Sequence, residues 1–503
     1  MDAQTTEHAD VVVVGAGPTG LLLAGDLVEA GVRVVLLERR AGESNLARAF
    51  AVHARTMEQL QIRGVADELA ATGTTIDELV LYGRAAIDLS RLASRYPSLL
   101  ITPQYRTEEV LTRRLHRLGG SIVDGSAVTG VAQDADGVDV RVRAVDGSER
   151  RYRASYVVGA DGVHSAVRTA LGLPYPGRSV VRSLMLADVR LTDPPADVLA
   201  VNGVGDAFAF VAPFGDGWYR VFAWNRSHQV DDTAPVELSE VREATRRALG
   251  TDFGMHDPRF LSRFHSDERQ VPSYRVGRVF LAGDAAHCHS PAGGQGMNTG
   301  IQDAANLGWK LAAAVAGWGG EELLDSYQAE RHPVGRQVLR SSGLLVRLAL
   351  IRPRWGRAVR NVVVAALLGI PAISAKAASV ISAIGMRYPA PPGSDPRVGT
   401  RVPDVALRDG RTLADALRGG RFVLLGRTPV DLPGPVDAAE PREGGERDRV
   451  TLIRPDGYVG WAGPADRFPA WAAEYFGRGT GLAPRAASPT PVVRGGDRVR
   501  RVP

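Results

Sequence analysis

Between Asp10 and Glu38 the chain reads strand, glycine turn, helix, strand, acid. Asp10–Val14 reads as a strand, its last four residues all valine, and Gly15-Ala16-Gly17-Pro18-Thr19-Gly20 follows at once. Apolar residues then recur at helical spacing from Thr19 to Ala30. Val32–Leu37 is a second strand, and Glu38 ends it. In this setting GxGxxG makes a tight turn and lets a pyrophosphate approach the main chain at a helix N-terminus, while the acid takes ribose hydroxyls. A lone GxGxxG carries little weight. In register with both strands, the helix and the acid, it predicts a Rossmann-like α/β domain that binds a dinucleotide. Gly15, Gly17, Gly20 and Glu38 are then the binding residues, with Arg39 beside the acid. The competing reading is a glycine turn in an unliganded α/β fold.

A second device of the same kind lies at Arg278–Lys310. The short strand Val279–Ala282 ends in Gly283-Asp284. A loop with Pro291, Gly293, Gly294 and Gly296 follows, and a helix starts near Met297 and runs past Leu307 to Leu311. The free N–H groups of Gly296, Met297 and Asn298, at the positive end of the helix dipole, are placed to hold negative charge. The glycines let a flat ligand approach the main chain. A third motif, Tyr156–Arg168, puts Asp161-Gly162 directly after an apolar strand.

Together these three motifs resemble the flavoprotein aromatic hydroxylases, the single-component FAD monooxygenases of the p-hydroxybenzoate hydroxylase type. The resemblance runs from about Ala9 to Tyr388, with a plausible continuation to the C-terminus, and is closest to the branch acting on polycyclic aromatic polyketides. It implies FAD as cofactor, with Asp284 on the ribityl hydroxyls and Pro291 against the flavin near the reacting carbon. Gly296, Met297 and Asn298 would then stabilise the reduced flavin. It places Arg48 on the FAD phosphates, with Arg55 as the alternative, and Gln104 on FAD. Asp161-Gly162 takes part in both FAD and nicotinamide handling. NADPH or NADH reduces the flavin as a transient co-substrate, which suits a chain with no second GxGxxG. O2 then gives a flavin C4a-hydroperoxide that passes one oxygen to a small aromatic substrate.

At 503 residues the chain is too long for one ordinary core. We read a discontinuous FAD-binding domain, 1–176 and 271–388, the second part with a helical region. Between them, 177–270 changes to long alternating strands and is an inserted β-sheet domain. The resemblance puts this sheet over the substrate cavity. Phe208, Phe210, Phe222 and Trp224 alternate on their strands, so each pair shares a face and either lines the cavity or fills a core. Arg220 either holds a substrate oxygen or is an exposed strand residue. The Pro/Gly-rich stretch 389–403 is a linker. Residues 404–485 resemble the thioredoxin-like C-terminal domain of the polyketide hydroxylases, here without a cysteine pair. The tail 486–503, rich in Pro, Gly, Arg and Ser, is expected to be disordered.

A net charge of +5 with both signs interspersed gives no footprint for nucleic acid. Cys288, the only cysteine, excludes an intrachain disulfide and is read as a packing residue. No metal site is expected. The longest apolar run, Val362–Ala375, is broken by Pro371 and too short to span a bilayer. With the acidic, polar Met1–Asp10, this gives a cytoplasmic protein without stable membrane association, as a monomer or homodimer. A flavin halogenase is disfavoured: there is no WxWxIP stretch, and neither lysine, Lys310 or Lys376, precedes residue 310. Baeyer–Villiger oxygenation and hydroxylation of a finished antibiotic remain open on the same scaffold. Outside catalysis, a noncatalytic FAD subunit or redox sensor is the alternative. Phenol hydroxylation profits from a base; His53, Tyr219 and Arg220 are candidates, and none is assigned.

Overall fold

The computed structural model describes residues 6–42, 49–81, 85–291, 293–427, 435–444 and 448–477. Its centre is the strand Thr6–Val14, whose run of valines from Val11 to Val14 is buried on both faces. It pairs in parallel with Val34–Leu37 on one side and Glu149–Gly159 on the other. A strand buried on both sides reads as a continuous β-branched run because helices cover each face. Val279–Leu281 joins the same sheet, parallel to Glu149–Gly159, after the chain has left it for about a hundred residues. The cofactor domain is therefore discontinuous. The helices Pro18–Glu29 and Gln295–Val315 pack together, and both rise from glycine loops at the same end of the sheet.

The inserted domain is a six-stranded sheet. Gly177–Leu191 and Met255–Gln270 form its long antiparallel pair, and Trp218–Asn225, Ala207–Gly215 and Ala200–Gly203 extend it on one side. Period-two alternation divides its residues between two cores. Met185, Ala187, Val211, Val221 and Ala223 pack on the helix Leu238–Leu249. Leu184, Leu186, Phe210, Phe222 and Trp224 face the other way. The last strand of this sheet, His287–Cys288, belongs to the second glycine loop, pairing Arg269 with Cys288 and Gln270 with His287. Sheet and loop are thus held in register by backbone hydrogen bonds.

After Gln295–Val315 come three helices, Glu321–Ala349, Arg354–Leu368 and Pro371–Ile381. A four-stranded sheet follows, ordered Val436–Ala439, Phe422–Leu425, Arg449–Ile453, Val459–Pro464, with the helix Phe468–Gly477 against it. This thioredoxin-like unit docks on the cofactor domain through charges as well as rings. Arg454 spans Glu330 at 2.6 and 2.9 Å, Lys310 Nζ donates to the same carboxylate at 2.8 Å, and Arg55 donates to the Asp456 carbonyl at 2.6 Å. The stretch read as a linker is tied down at several points: Tyr388 N–H bonds Gly399, Gly399 N–H bonds Val459, and Val402 N–H bonds Gly457. The tail 486–503 lies outside the described residues. Among those described, no single helix is long and apolar enough to cross a membrane.

Candidate active site

The first glycine loop follows Val14. Gly15 sits at φ +102°, and a Cβ there would stand 2.5 Å from the Ala160 carbonyl oxygen, so only glycine fits beneath the third motif. A Cβ on Gly20 would stand 1.9 Å from the Gly15 oxygen. Gly17 differs, because a Cβ there meets no protein atom within 4 Å. The open space above it, at the N-terminus of Pro18–Glu29, is a cradle a side chain would fill. Glu38 is buried and points back at this turn, its carboxylate accepting from Ala16 N–H at 2.8 Å and from the Arg40 side chain at 2.8 Å. Burial works to raise the Glu38 carboxyl, but bonds from Arg40 and Ala16 outweigh it and hold it below its ordinary value. Arg39 is exposed beside it.

The third motif closes the floor. One oxygen of Asp161 accepts from the N–H groups of Ala166 and Val167, at 2.7 and 3.2 Å. Its other oxygen is buried without a partner, and a Cβ on Gly162 would meet open space. Gln104 spans two elements: its Oε1 accepts from Ala49 N–H at 3.3 Å and its Nε2 donates to Glu108 at 2.8 Å. Arg48 lies outside the described residues. Arg55, its alternative, is fully buried between Glu58 and the Asp456 carbonyl, which commits it to the domain seam.

The second glycine loop gives a helix that begins at Gln295, two residues before the periodicity suggests, with Gly294 left-handed at its N-cap. The free N–H groups of the first turn are therefore those of Gln295, Gly296 and Met297. The Asn298 side chain does different work. Its Oδ1 accepts from His53 N–H at 2.9 Å, and its Nδ2 donates to the Ala51 and Gly294 carbonyls at 2.8 and 2.7 Å. Asn298 so fixes the loop against the strand Ala51–Val52. A buried knot holds the loop's other end: Asp303 accepts from Gly283 N–H at 3.1 Å, pairs with His287 at 2.7 Å and takes Arg331 Nε at 2.7 Å. Asp284 is exposed close to Gly296 and His289. Burial and the neighbouring His287 push His289 down to about 4.

A cavity of about 190 Å³ lies between this loop and the inserted sheet. Pro291, Gly293 and Gly294 line one side, and Phe208, Phe210, Phe222 and Trp224 line the other. Phe50 joins them, its ring 4.4 Å from that of Phe210. Leu345, Ala349, Leu350 and Ile381, from the helical region, close it. Arg220 is not among the lining residues. It is fully buried, bidentate to Asp188 at 2.8 Å for each bond, and its guanidinium lies 3.8 Å from the Phe214 ring. That fixed pair leaves Arg220 no reach toward a substrate oxygen. Tyr219, on the opposite face of the same strand, packs on the helix-side core.

The few polar groups facing the cavity include the Ser266 hydroxyl and His53 Nε2, each buried with no protein partner. His53 Nδ1 lies 2.5 Å from the Ile381 carbonyl oxygen. A carbonyl only accepts, so the ring proton sits on Nδ1 and Nε2 is left with a lone pair, beside Gly294 of the cavity wall. Burial pulls the imidazole below its ordinary value, partly offset by the carbonyls of Ile381, Gly293 and Gly294. Sequence reasoning named His53 without placing it. It missed Phe50, Asp303 and the helical closure, for which no local pattern existed. A wider cleft of about 1310 Å³ lies between the helix Glu321–Ala349 and the C-terminal sheet, but no residue of the three motifs lines it. Among the described residues no cluster of His, Cys, Asp and Glu has metal-binding geometry.

The comparisons agree with this architecture. An FAD-binding domain family matches residues 8–342, and an aromatic-ring hydroxylase C-terminal family matches 395–479. The chain is 40% identical over 486 residues to rifampicin monooxygenase of Streptomyces venezuelae, covering 92% of this chain and 98% of that protein. It is 39% identical over 484 residues to a 12-dehydrotetracycline 5-monooxygenase/anhydrotetracycline 6-monooxygenase of Streptomyces rimosus, covering 90% and 95%. The solved anhydrotetracycline hydroxylase OxyS from Streptomyces rimosus superimposes with a TM-score of 0.83 at 38% identity, covering 94% of this chain and 100% of that one. A solved aromatic hydroxylase from angucycline biosynthesis, CabE, gives 0.82 at 35% identity, covering 93% and 99%. The chain belongs to the FAD-dependent aromatic-ring hydroxylases, flavoprotein monooxygenases that use O2 and a reduced nicotinamide.

Proposed function

We propose that this enzyme hydroxylates a polycyclic aromatic, polyketide-type metabolite, with His53 taking the proton of a substrate hydroxyl. The observation that carries the reading is the cavity itself: aromatic rings on the inserted sheet face the flavin loop Pro291–Gly294 across an apolar space. Its apolar, ring-lined walls suit an aromatic ligand fixed by a few polar contacts. The tetracycline and angucycline names of the relatives point to the same substrate class. The rifampicin monooxygenase relative supports a second reading within it, oxidation of a finished antibiotic.

FAD fits the three motifs by the open cradle over Gly17, the open space at Gly162 and the unpartnered Asp161 oxygen. Gly15, Gly17, Gly20 and Glu38 would hold the adenosine diphosphate, and Asp284 the ribityl chain. The N–H groups of Gln295, Gly296 and Met297 would take the negative charge of the reduced ring. When bound, the flavin supplies the activation of oxygen, and the protein supplies the rest. Asn298 and Asp303 hold the loop that orients the ring. Phe210, Phe222 and Trp224 keep water out. His53 Nε2 accepts the hydroxyl proton, which makes the substrate ring more electron-rich, and the Ile381 carbonyl stabilises the resulting imidazolium through Nδ1–H.

The test is NADPH and NADH oxidation by the purified flavoprotein with a panel of aromatic polyketides and ansamycin antibiotics, with products read by mass and NMR. A hydroxylated ring supports the reading. Products with oxygen inserted into a carbon–carbon bond would overturn it in favour of Baeyer–Villiger chemistry. Coenzyme oxidation that no aromatic ligand stimulates would also sink it.

A further inference from the structure

We propose that the outward face of the helices Arg354–Leu368 and Pro371–Ile381 docks on an anionic lipid surface. The chain places its exposed apolar side chains very unevenly. Of the ten large hydrophobic residues exposed among those described, eight lie between Leu344 and Ile373. A ninth, Val80, also borders the cavity. On Arg354–Leu368 the ordinary order of a surface helix is reversed. Trp355, Val359, Val362 and Val363 are 74, 53, 69 and 47% exposed, and the one buried side chain of that helix is Arg360. Spacings of four, three and one put these four residues on one stripe. The second helix, bent 98° from the first, continues the face with Ile370 and Ile373 at the turn. Exposed apolar surface of this extent, gathered in one place, marks an interaction site.

Charge selects the partner. Residues 331–394 hold nine arginines and one lysine and no Asp or Glu. Arg352 and Arg354 precede Trp355, and Lys376 follows Ile373. Among the described residues none of these three is paired with a carboxylate, and Arg357 spends a guanidinium N–H on the Arg352 carbonyl. A second copy seated symmetrically on the same face would set these cations against their own kind. A bilayer bearing anionic headgroups offers phosphate to the cations and acyl chain to the valines, and a tryptophan at the end of the stripe suits the boundary between them. Neither helix is long enough to cross alone, and the pair, bent by 98°, packs its inner side on the cavity's hydrophobic cluster, so the contact is a surface one. Its place has a use, because the inner sides of these helices pack on the cavity's hydrophobic cluster through Leu368, Ala377, Ala378 and Ile381. An apolar ligand dissolved in the lipid would meet the enzyme at the helices that close its cavity. The sequence alone suggested no stable membrane association; the exposed stripe argues otherwise.

The test is flotation of the full-length FAD-loaded protein with vesicles of phosphatidylglycerol and phosphatidylcholine, against vesicles of phosphatidylcholine alone. We expect flotation with the anionic vesicles only, weakening as salt rises. The V362D/V363D variant should lose it while keeping its flavin spectrum and its turnover of a water-soluble aromatic ligand, since neither valine lines the cavity. The proposal is overturned if the protein stays at the bottom with anionic vesicles at low salt. It is equally overturned if the variant floats like its parent, or if the parent sediments as a dimer that the variant splits.

Discussion

His53 and Ile381 meet through a 2.5 Å bond between Nδ1 and a backbone carbonyl, 328 residues apart in the chain. The bond joins the cofactor domain to the helices that close the cavity, and it fixes the tautomer of a ring that lines that cavity and whose other nitrogen has no protein partner. A neutral imidazole locked this way is an acceptor and not a donor.

The sign of the pH dependence follows. Burial sets the His53 value below the ordinary 6.5, so Nε2 is free at neutral pH and fills only as pH falls below that value. Hydroxylation of a phenol should fall with acid along a single-proton curve with a midpoint under 6.5. In His53→Ala that limb should vanish and turnover drop about 10²-fold, the usual contribution of a positioned base. Reduction of bound flavin by NADPH or NADH should change little. Stopped-flow traces of the two half-reactions across pH separate these effects, and an unchanged acid limb in the variant would remove His53 from the proton path.

The glycines of the first loop should part company on substitution. In Gly15→Ala the new methyl meets the Ala160 carbonyl at 2.5 Å with the backbone left-handed, and Gly20→Ala meets the Gly15 oxygen at 1.9 Å, so both should lower the melting temperature of the apo-protein. Gly17→Ala touches nothing in the protein. Its apo melting temperature should match the parent within a degree or two, while FAD binding weakens at least tenfold. Flavin titration followed by fluorescence, beside calorimetry of the apo forms, reads the two quantities independently.

The same contrast explains what the sequence could express. Glycine turns, the acid after the second strand and the alternation of the inserted sheet are demands of local backbone and period, so they stand in the chain as spacing. The start of the helix at Gln295 was misplaced because Gln295 and Gly296 break the apolar period, although the left-handed Gly294 makes them its first turn. Arg220 was open to a substrate role because its partner Asp188 sits on another strand, 32 residues away. The cavity unites Phe50, the aromatic strands and Ile381, which no single window of sequence contains. Arg55 reads as a helix surface residue until the turn at Asp456 arrives from 401 residues downstream to cover it.

Removing one member of the Asp303 knot should cost more than its count of bonds suggests. Arg331→Met leaves the Asp303 carboxylate fully buried with only His287 and one N–H, and a buried pair broken on one side typically costs about 3–5 kcal/mol. Burial opposes ionisation of Asp303, but Arg331 and His287 outweigh it and lower its value in the fold. A carboxyl lowered on folding stabilises above its unfolded value, near 3.8, and that stability is lost as pH falls through the folded one. Arg331→Met should therefore show a weaker acid limb in its unfolding free energy than the parent. Urea titrations between pH 7 and pH 3 supply the comparison. Equal slopes in the two proteins would show that Asp303 does not depend on Arg331 for its charge.

The C-terminal domain is held in part by largely buried charges. Glu330 takes both Arg454 and Lys310 in a buried site; burial works to raise its carboxyl, but those two cations hold it well below the carboxylate range. Burial beside Arg454 in turn brings the Lys310 ammonium down to about 8, against the pull of Glu330. In Arg454→Met, Glu330 keeps only Lys310 and the Asn306 amide, and Asp456 loses its guanidinium partner at the same seam. The thioredoxin-like unit should then undock before the cofactor domain melts, turning one thermal transition into two. Protease should cut first between 389 and 403, where backbone bonds to Val459 and Gly457 now hold the chain in place. The flavin should stay bound through the first transition, because no residue of the three glycine motifs lies in the C-terminal unit. Calorimetry run beside flavin fluorescence tests the order, and loss of flavin in the first transition would mean that the C-terminal domain supports the cofactor site directly.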